Sequence, residues 1–459
     1  MRFENIIRTR FVIVDYFAAN IGIIVFNILR FFSLPRPFEP RSLDQWLLHD
    51  PAIILGQILF PLTLMGLHWL SGIYNHGGAK SRFDIISAAT TCGLIATLLI
   101  FFVALINDNI PERMQNYELL LLLWTLLTLP TIIGREIVNH LTARAIRLGR
   151  YFCPAVIIGT GDAAHQLAQR LSLSRRHTEV KVLDFIDPSH PKRMVDTISR
   201  LQPKMLIVSA DANIKSRKSQ LLSALFATGV DIYMPLDIYR TISPMARMHT
   251  VVGEPLINLS NANISESTIN LKRATDVISS SLALLILSPL FLILAILIRR
   301  DSRGPVFYRQ ERVGFHGKPF NIIKFRSMYV DAESNGPQLS TLDDDRITKI
   351  GRTLRKYRLD ELPQFWNVIR GDMSIVGPRP ERQFYATQIA AQVPLYNLVY
   401  QVRPGITSWG MVKFGYASSI EEMIQRLQYD LLYIENISLG VDLKILFYTV
   451  ITVLTGKGV

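Results

Sequence analysis

This 459-residue chain has only two cysteines, Cys92 and Cys153, far apart and in unlike surroundings. A disulfide framework and a cysteine metal cluster are therefore excluded, and any chemistry rests on other side chains. Charge is scarce as well: charged residues make up 19% against 49% hydrophobic ones, and mean hydropathy is +0.24. That balance excludes a disordered chain and strains a purely soluble one. Acidic residues are the rarer sign, 37 against 50 Lys and Arg, leaving a formal net charge of +13. Such an excess points to a polyanionic neighbour: nucleic acid, anionic lipid headgroups or phosphorylated substrates. The sequence contains no internal repeat and no low-complexity block, and its length suits two or three folding units.

The apolar residues are concentrated in the first third, over Phe11 to Phe32, Ile53 to Leu70, Ile85 to Ile106 and Leu119 to Ile133. Each approaches the ~20 residues that span a bilayer, which predicts a bundle of four transmembrane helices over residues 1–150. Arg2, Arg8 and Arg10 precede the first stretch, Lys80 and Arg82 join the second to the third, and Arg135, Arg144, Arg147 and Arg150 follow the fourth. These cations put both ends of the bundle on the cytoplasmic side. The first stretch is too long for a signal-peptide core and lacks a small-residue cleavage site, so it belongs to the mature structure. Asp15 lies about one turn inside a cytoplasmic end, where an interfacial or interhelical structural role is expected over a proton path.

After Arg150 short Val/Ile runs alternate with amphipathic helices: Ala155 to Ile158, Val180 to Ile186, Leu206 to Ser209 and Val230 to Met234. The pattern predicts a parallel α/β domain over 151–258, followed by a Ser/Asn-rich linker over 259–271. Its first strand runs into Gly159-Thr-Gly161-Asp-Ala-Ala164, with Asp184 and Asp187 at the end of the next. Glycines in that context let backbone approach a pyrophosphate at a helix N-terminus. They serve equally as the tight first turn of any doubly wound sheet, and Asp162 places negative charge where phosphate would sit.

A fifth apolar segment, Val277 to Ile298, is 22 residues without a charge. Lys272 and Arg273 precede it and Arg299, Arg300 and Arg303 follow, so one crossing cannot keep both flanks cytoplasmic. Ser288-Pro289 divides it into limbs of 11 and 9 residues, each about 15 Å long and half a hydrocarbon core. The proline removes a backbone donor and the serine hydroxyl can satisfy the freed carbonyl. A re-entrant hairpin over 277–298 is expected, and an ordinary kinked span is the alternative.

Beyond it, Gly304 to Gly314 and Phe320 to Met328 read as two strands joined by a Gly/Pro turn. Arg346 to Tyr357 has helical period, with Lys349, Arg352 and Lys356 along one face and Arg355 and Arg358 adding charge. It leads into Leu359-Asp360-Glu361-Leu362-Pro363-Gln364, where Pro363 suits a first helical turn and Asp360 and Glu361 should begin a new helix. Alone, Asp360 is an N-cap and Glu361 first-turn decoration. Their basic company and the upstream Lys324 and Arg326 instead suit a site where cations hold phosphates. One carboxylate then attacks or assists, and the other holds a hard divalent metal.

From Lys272 to the C-terminus the chain resembles the catalytic domain of the monotopic phosphoglycosyl transferases, the polyprenyl-phosphate glycosyl-1-phosphate transferases. The resemblance is carried in order by Ser288-Pro289, Gln310 to Gly314, Lys324-Phe-Arg326-Ser-Met328, Asp345-Arg346-Ile-Thr, Leu359-Asp360-Glu361-Leu362-Pro363-Gln364, Gly371-Asp-Met-Ser374, Gly377-Pro-Arg379-Pro380 and Arg403-Pro-Gly-Ile406-Thr-Ser-Trp409. Ser408 departs locally, standing where many relatives have glycine. The preceding bundle and Rossmann-like domain resemble the long subclass, whose members initiate exopolysaccharide, capsule or O-antigen synthesis.

The implied fold is an α+β membrane protein: a four-helix transmembrane bundle, a Rossmann-like α/β domain, and an α/β catalytic domain over 272–459 with a Ser-Pro kinked re-entrant membrane helix. The implied reaction passes hexose-1-phosphate from a UDP-sugar to undecaprenyl phosphate, with UMP released and a covalent aspartyl phosphosugar intermediate. Asp360 would be the nucleophile, Glu361 would bind Mg²⁺, and Arg355 would orient the nucleophile. Arg379, Lys324, Arg326 and Arg403 are candidate phosphate ligands. Arg379 could equally clamp a carboxylate, and Lys324 and Arg326 could serve lipid headgroups.

The implied place is the bacterial inner membrane with the catalytic domain cytoplasmic. Membrane lipid is then a partner, nucleic acid is not, and a homodimer remains open. A second reading makes the chain a membrane-anchored dinucleotide-sensing or redox protein built on Gly159 and Gly161. Near the C-terminus, Glu421 to Glu435 is amphipathic, and Ile445 to Leu454 is apolar but too short to span.

Overall fold

The computed structural model describes residues 2–33, 42–75, 80–105, 113–150, 152–173, 180–209, 221, 224–226, 228–235, 248–251, 254–258, 264–332, 344–415, 417 and 419–455. Residues 259–263 of the expected linker and Ile106 lie outside these. The chain forms two compact units, one of Met1–Phe152 with Ser265–Leu271, the other of Cys153–Ile264 with Lys272–Val459.

In the first unit the four apolar stretches are helical: α1 (Arg2–Ser33), then after a short α2 (Leu43–His49), α3 (Pro51–Leu70), α4 (Arg82–Ile100) and α5 (Arg113–Arg147). One π-helical turn, Phe101–Leu105, continues α4. Small residues set the closest approaches, because a Cβ on Gly22 would stand 2.4 Å from the Leu126 carbonyl oxygen. Asp15 and Arg135 are fully buried and paired: Arg135 Nε donates to Oδ1 at 2.9 Å and Nη2 to Oδ2 at 2.7 Å. The Tyr74 hydroxyl donates to the same carboxylate. Asp15 thus joins α1 to α5, and two charges that could not be buried singly are buried as a pair.

The second unit opens with a six-stranded sheet of order β2-β1-β3-β4-β6-β5: β1 (Cys153–Ile158), β2 (Val180–Ile186), β3 (Met205–Val208), β4 (Asp231–Pro235), β5 (Met248–Val251) and β6 (Glu254–Asn258). The first four pair in parallel, and β6 returns antiparallel to β4 and β5. The β5–β6 hairpin was not legible: its strands are short, with His249, Glu254 and Pro255 breaking the apolar run. Helices α6 (Asp162–Leu173) and α7 (Pro191–Leu201) alternate with the first strands.

Helix α8 (Glu266–Asp301) contains the whole fifth apolar segment, with Pro289 inside it. Among the described residues five helices, α1, α3, α4, α5 and α8, are long and apolar enough to cross a membrane. After α8, β7 (Phe307–Val313) and β8 (Pro319–Phe325) form an antiparallel hairpin. Next come α9 (Lys349–Lys356), a 3₁₀ turn over Leu359–Glu361, and α10 (Gln364–Arg370). Here the structure departs from a helix starting at Asp360. Arg358 turns the chain through left-handed backbone (φ 52°), and Pro363, without an N–H, becomes the N-cap of a separate helix.

Two short parallel strands, β9 (Ser374–Val376) and β10 (Gly405–Thr407), follow, with α11 (Gln383–Gln392) between them. A Cβ on Gly405 would stand 2.1 Å from the Gly377 nitrogen, so this crossing requires glycine. The chain then runs through α12 (Trp409–Lys413), α13 (Ile420–Glu435) and α14 (Leu439–Leu454). Val376, Tyr385, Ile389, Leu427, Ile434 and Ile445 share one core beneath these elements.

Candidate active site

Asp360 and Glu361 sit in the 3₁₀ turn between α9 and α10, and both are buried. Lys324, on β8, donates to Glu361 Oε1 at 2.8 Å. Arg379 Nη2 reaches the same oxygen at 3.3 Å and Arg358 Nη1 reaches Oε2 at 3.4 Å. Burial would raise the Glu361 carboxyl, but Lys324, Arg379 and Arg358 together hold it well below the usual carboxylate range. Asp360 goes the other way. Burial pushes its carboxyl up to about 6, Lys324 pulls it down, and the neighbouring Glu361 charge pushes it up. Two adjacent carboxylates are therefore driven apart by their surroundings, a pattern of sites that do chemistry.

Burial lowers the Lys324 ammonium, with Glu361 opposing the shift and Arg379 adding to it. Arg355, on α9, acts electrostatically on Asp360, and its Nη1 is buried without a hydrogen-bond partner. Four cations, Lys324, Arg355, Arg358 and Arg379, thus face two carboxylates. The surplus positive charge suits an incoming polyanion.

The supporting elements explain the placement. Asn367 of α10 grips the free edge of β8, its Nδ2 donating to the Asn321 carbonyl at 2.8 Å and its Oδ1 accepting from the Ile323 amide at 3.0 Å. Lys324 is the next residue along. On the opposite side, Arg312 of β7 donates to the Pro380 carbonyl at 3.1 Å and pairs with Glu381 at 3.6 Å. Ser408, the local departure, caps α12 by accepting from the Met411 amide at 3.0 Å.

Not every expected ligand joins the cluster. Arg326 donates to the carbonyls of Arg303 at 2.9 Å and Ser302 at 2.7 Å, closing the C-terminal end of α8. Arg403 donates to the Gly371 carbonyl at 3.1 Å and lies over the Phe315 ring. Both spend donors on main chain or an aromatic face. Sequence reasoning in turn missed Glu361's contact with Arg358, whose three-residue spacing was the available signal, and the roles of Asn367, Arg312 and Glu381, which had none.

For a divalent cation the donors are hard carboxylate oxygens, and no cluster of three or more His, Cys, Asp or Glu that could hold a metal occurs among the described residues. That set fits Mg²⁺, which binds through one or two carboxylates together with substrate phosphates rather than in an all-protein cage.

Gly159 and Gly161 form the β1–α6 turn, Gly159 at φ +133° with its amide donating to the Ile186 carbonyl at 2.8 Å. Asp184 and Asp187 accept from the nearby amides of Phe185 and Ser189.

Residues 267–456 match the family model described as bacterial sugar transferase. The chain is 43% identical over 188 residues to a UDP-N-acetylgalactosamine-undecaprenyl-phosphate N-acetylgalactosaminephosphotransferase of Aeromonas hydrophila, covering 41% of this chain and 44% of that one. It is 38% identical over 239 residues to a UDP-glucose:undecaprenyl-phosphate glucose-1-phosphate transferase of Klebsiella pneumoniae, covering 52% of this chain and 50% of that one. It is 40% identical over 199 residues to the exopolysaccharide production protein PSS of Rhizobium leguminosarum bv. phaseoli, covering 41% of this chain and 98% of that one. The chain spans about half the length of the first two relatives and nearly all of the third.

Proposed function

The chain belongs to the bacterial sugar transferase family, and from that premise we propose that it transfers a hexose-1-phosphate from a UDP-sugar to undecaprenyl phosphate. One observation carries the reading: a buried Asp360 whose carboxyl is raised, beside a Glu361 held ionised by Lys324, Arg358 and Arg379. The names of the relatives support the substrate classes, and they differ in the sugar, so the donor here is assigned only as a UDP-hexose.

In the first step an Asp360 oxygen attacks the sugar-bearing phosphorus. The bond to the UMP phosphate breaks, UMP leaves with that electron pair, and an aspartyl phosphosugar ester remains. In the second, a phosphate oxygen of undecaprenyl phosphate attacks the same phosphorus. The Asp360 carboxylate leaves, and undecaprenyl-diphosphate-sugar is the product. Lys324, Arg358 and Arg379 neutralise the diphosphate, and Arg355 holds Asp360 in line. Glu361 would hold Mg²⁺, which supplies charge neutralisation at the diphosphate and the leaving UMP.

The product would initiate exopolysaccharide, capsule or O-antigen synthesis. For the membrane, α1, α3, α4 and α5 would span the bacterial inner membrane, with α8 entering and returning at Ser288-Pro289. The catalytic domain over 272–459 would be cytoplasmic, joined through the 259–271 segment to the 151–258 domain. The second reading, a dinucleotide sensor at Gly159 and Gly161, has less support, because Asp184 and Asp187 are used on neighbouring backbone.

The test is a panel of UDP-hexoses incubated with the full chain, Mg²⁺ and undecaprenyl phosphate, scored by UMP release. Asp360→Asn should abolish release, whereas Gly161→Val should leave the chemistry in place. Full turnover by Asp360→Asn would end the nucleophile assignment.

A further inference from the structure

Arg379 stands between two prolines that have no N–H, so within Pro378-Arg379-Pro380 its amide is the only backbone donor that can anchor the segment. That amide is accepted by the carboxylate of Asp430, on α13. Asp430 Oδ1 also accepts from the Gly410 amide at 3.1 Å. A Cβ on Gly410 would stand 2.5 Å from Arg426 Cγ, so the start of α12 lies directly on the same face of α13. The residue after Gly410 is Met411, whose sulfur lies 3.3 Å from Arg379 Nη1.

Arg426, one turn before Asp430, acts on the other end of the loop. Its Nη2 donates to Glu381 Oε1 at 2.5 Å, and Arg312 pairs with the second oxygen of Glu381 while donating to the Pro380 carbonyl. The Glu381 carbonyl accepts from the Val313 amide at 3.0 Å. Arg426 and Asp430 are both only 5% exposed. Packing alone does not call for charge here, since well-packed apolar side chains of similar volume often replace a whole buried ion pair without loss of stability.

We infer that Arg426 and Asp430 are positioning residues: through Glu381 and the Arg379 amide they set where the Arg379 guanidinium stands against the donor diphosphate. The inference deepens the transferase reading and rests on it. Arg379 reaches Glu361 at 3.3 Å, and its guanidinium meets the phosphates only if both ends of a segment with one amide donor are held. α13, far along the chain from the carboxylate pair, adds a side-chain hold at each end, through Asp430 on the Arg379 amide and Arg426 on Glu381, beside the main-chain holds from Arg312 on Pro380, Val313 on Glu381 and Gly405 on Pro378.

The experiment is a pair of double-mutant cycles on the full chain, read as KM and kcat for the UDP-sugar in UMP release. Asp430→Asn keeps the size of the side chain but replaces with an amide donor one of the two carboxylate oxygens that serve the Arg379 and Gly410 amides. It should lower kcat/KM about 10-fold or more, mainly through KM, because uniform binding to phosphate is lost. Arg379→Ala should lose at least as much, and Asp430→Asn combined with Arg379→Ala should lose no more than Arg379→Ala alone. A purely structural role gives losses that multiply.

The second cycle, Arg426→Gln with Arg379→Ala, keeps the inference exposed if Asp430→Asn fails to accumulate, and Arg426→Lys should retain most of the wild-type KM. Multiplying losses, or single variants with wild-type KM, overturn the inference while the transferase reading stands. A wild-type chain that releases no UMP from any UDP-hexose overturns both.

Discussion

The hydroxyl of Ser288 donates to the carbonyl of Leu285 at 2.8 Å. Leu285 lies four residues before Pro289, so its carbonyl is the one that the missing proline N–H leaves without an α-helical partner. The serine repairs the defect that the proline makes, inside the most apolar segment of the chain, where an open carbonyl is most costly.

Ser288→Ala should therefore destabilise the chain by about 1 kcal/mol, the cost of an unsatisfied carbonyl. Thermal unfolding in detergent measures it. For the re-entrant path, cysteines introduced at Asn270 and Arg303 should both label from the cytoplasmic side. Labelling from opposite faces would make α8 a spanning helix.

The rate of the first step should depend on pH through Asp360. Its carboxyl is raised by burial to about 6, and a nucleophile must be ionised, so activity is complete above that value and lost as pH falls through it. Glu361 stays ionised across this window because its cations hold it low. Below about pH 6, kcat/KM for UDP-sugar should fall roughly tenfold per pH unit. A flat profile from about pH 5 to 8 would remove Asp360 from the step.

Glu361→Gln should cut UMP release by about 100-fold or more and blunt its dependence on Mg²⁺ concentration, since a neutral amide is a poor ligand for a hard cation. Lys324→Met should act differently, raising the KM for UDP-sugar while the Mg²⁺ dependence persists. Magnesium titrations at fixed UDP-sugar separate the two.

In the first unit, Asp15→Asn leaves the buried Arg135 guanidinium without its counter-charge. The loss should be about 3 kcal/mol or more. Neutralising both, Asp15→Asn with Arg135→Gln, should recover much of it. Melting temperatures of the three variants in detergent decide this, and a double variant that loses the sum of the two single losses would show that the pair is not coupled.

Much of the architecture was legible because it follows from local periodicity. The apolar stretches became α1, α3, α4 and α5, the Val/Ile runs became the parallel strands, and the Gly/Pro turn joined β7 to β8. The β5–β6 hairpin escaped because short strands carrying proline and charge show no clean alternation. The separate 3₁₀ turn at Asp360 escaped because the left-handed turn at Arg358 is a backbone choice that an arginine does not advertise.

By itself the sequence determined the carboxylate pair, the basic residues within reach along the chain, and the serine beside the proline, since each depends on neighbours a few positions apart. Only the tertiary structure decided which cations meet the pair. Lys324 and Arg379, 37 and 18 residues from Glu361, converge on one oxygen, while Arg326 turns to the end of α8 and Arg403 to Gly371. A positive charge has no direction in a sequence. Its direction comes from the backbone path and from burial, which leaves a guanidinium no place to stand except against the acceptors that the fold brings to it.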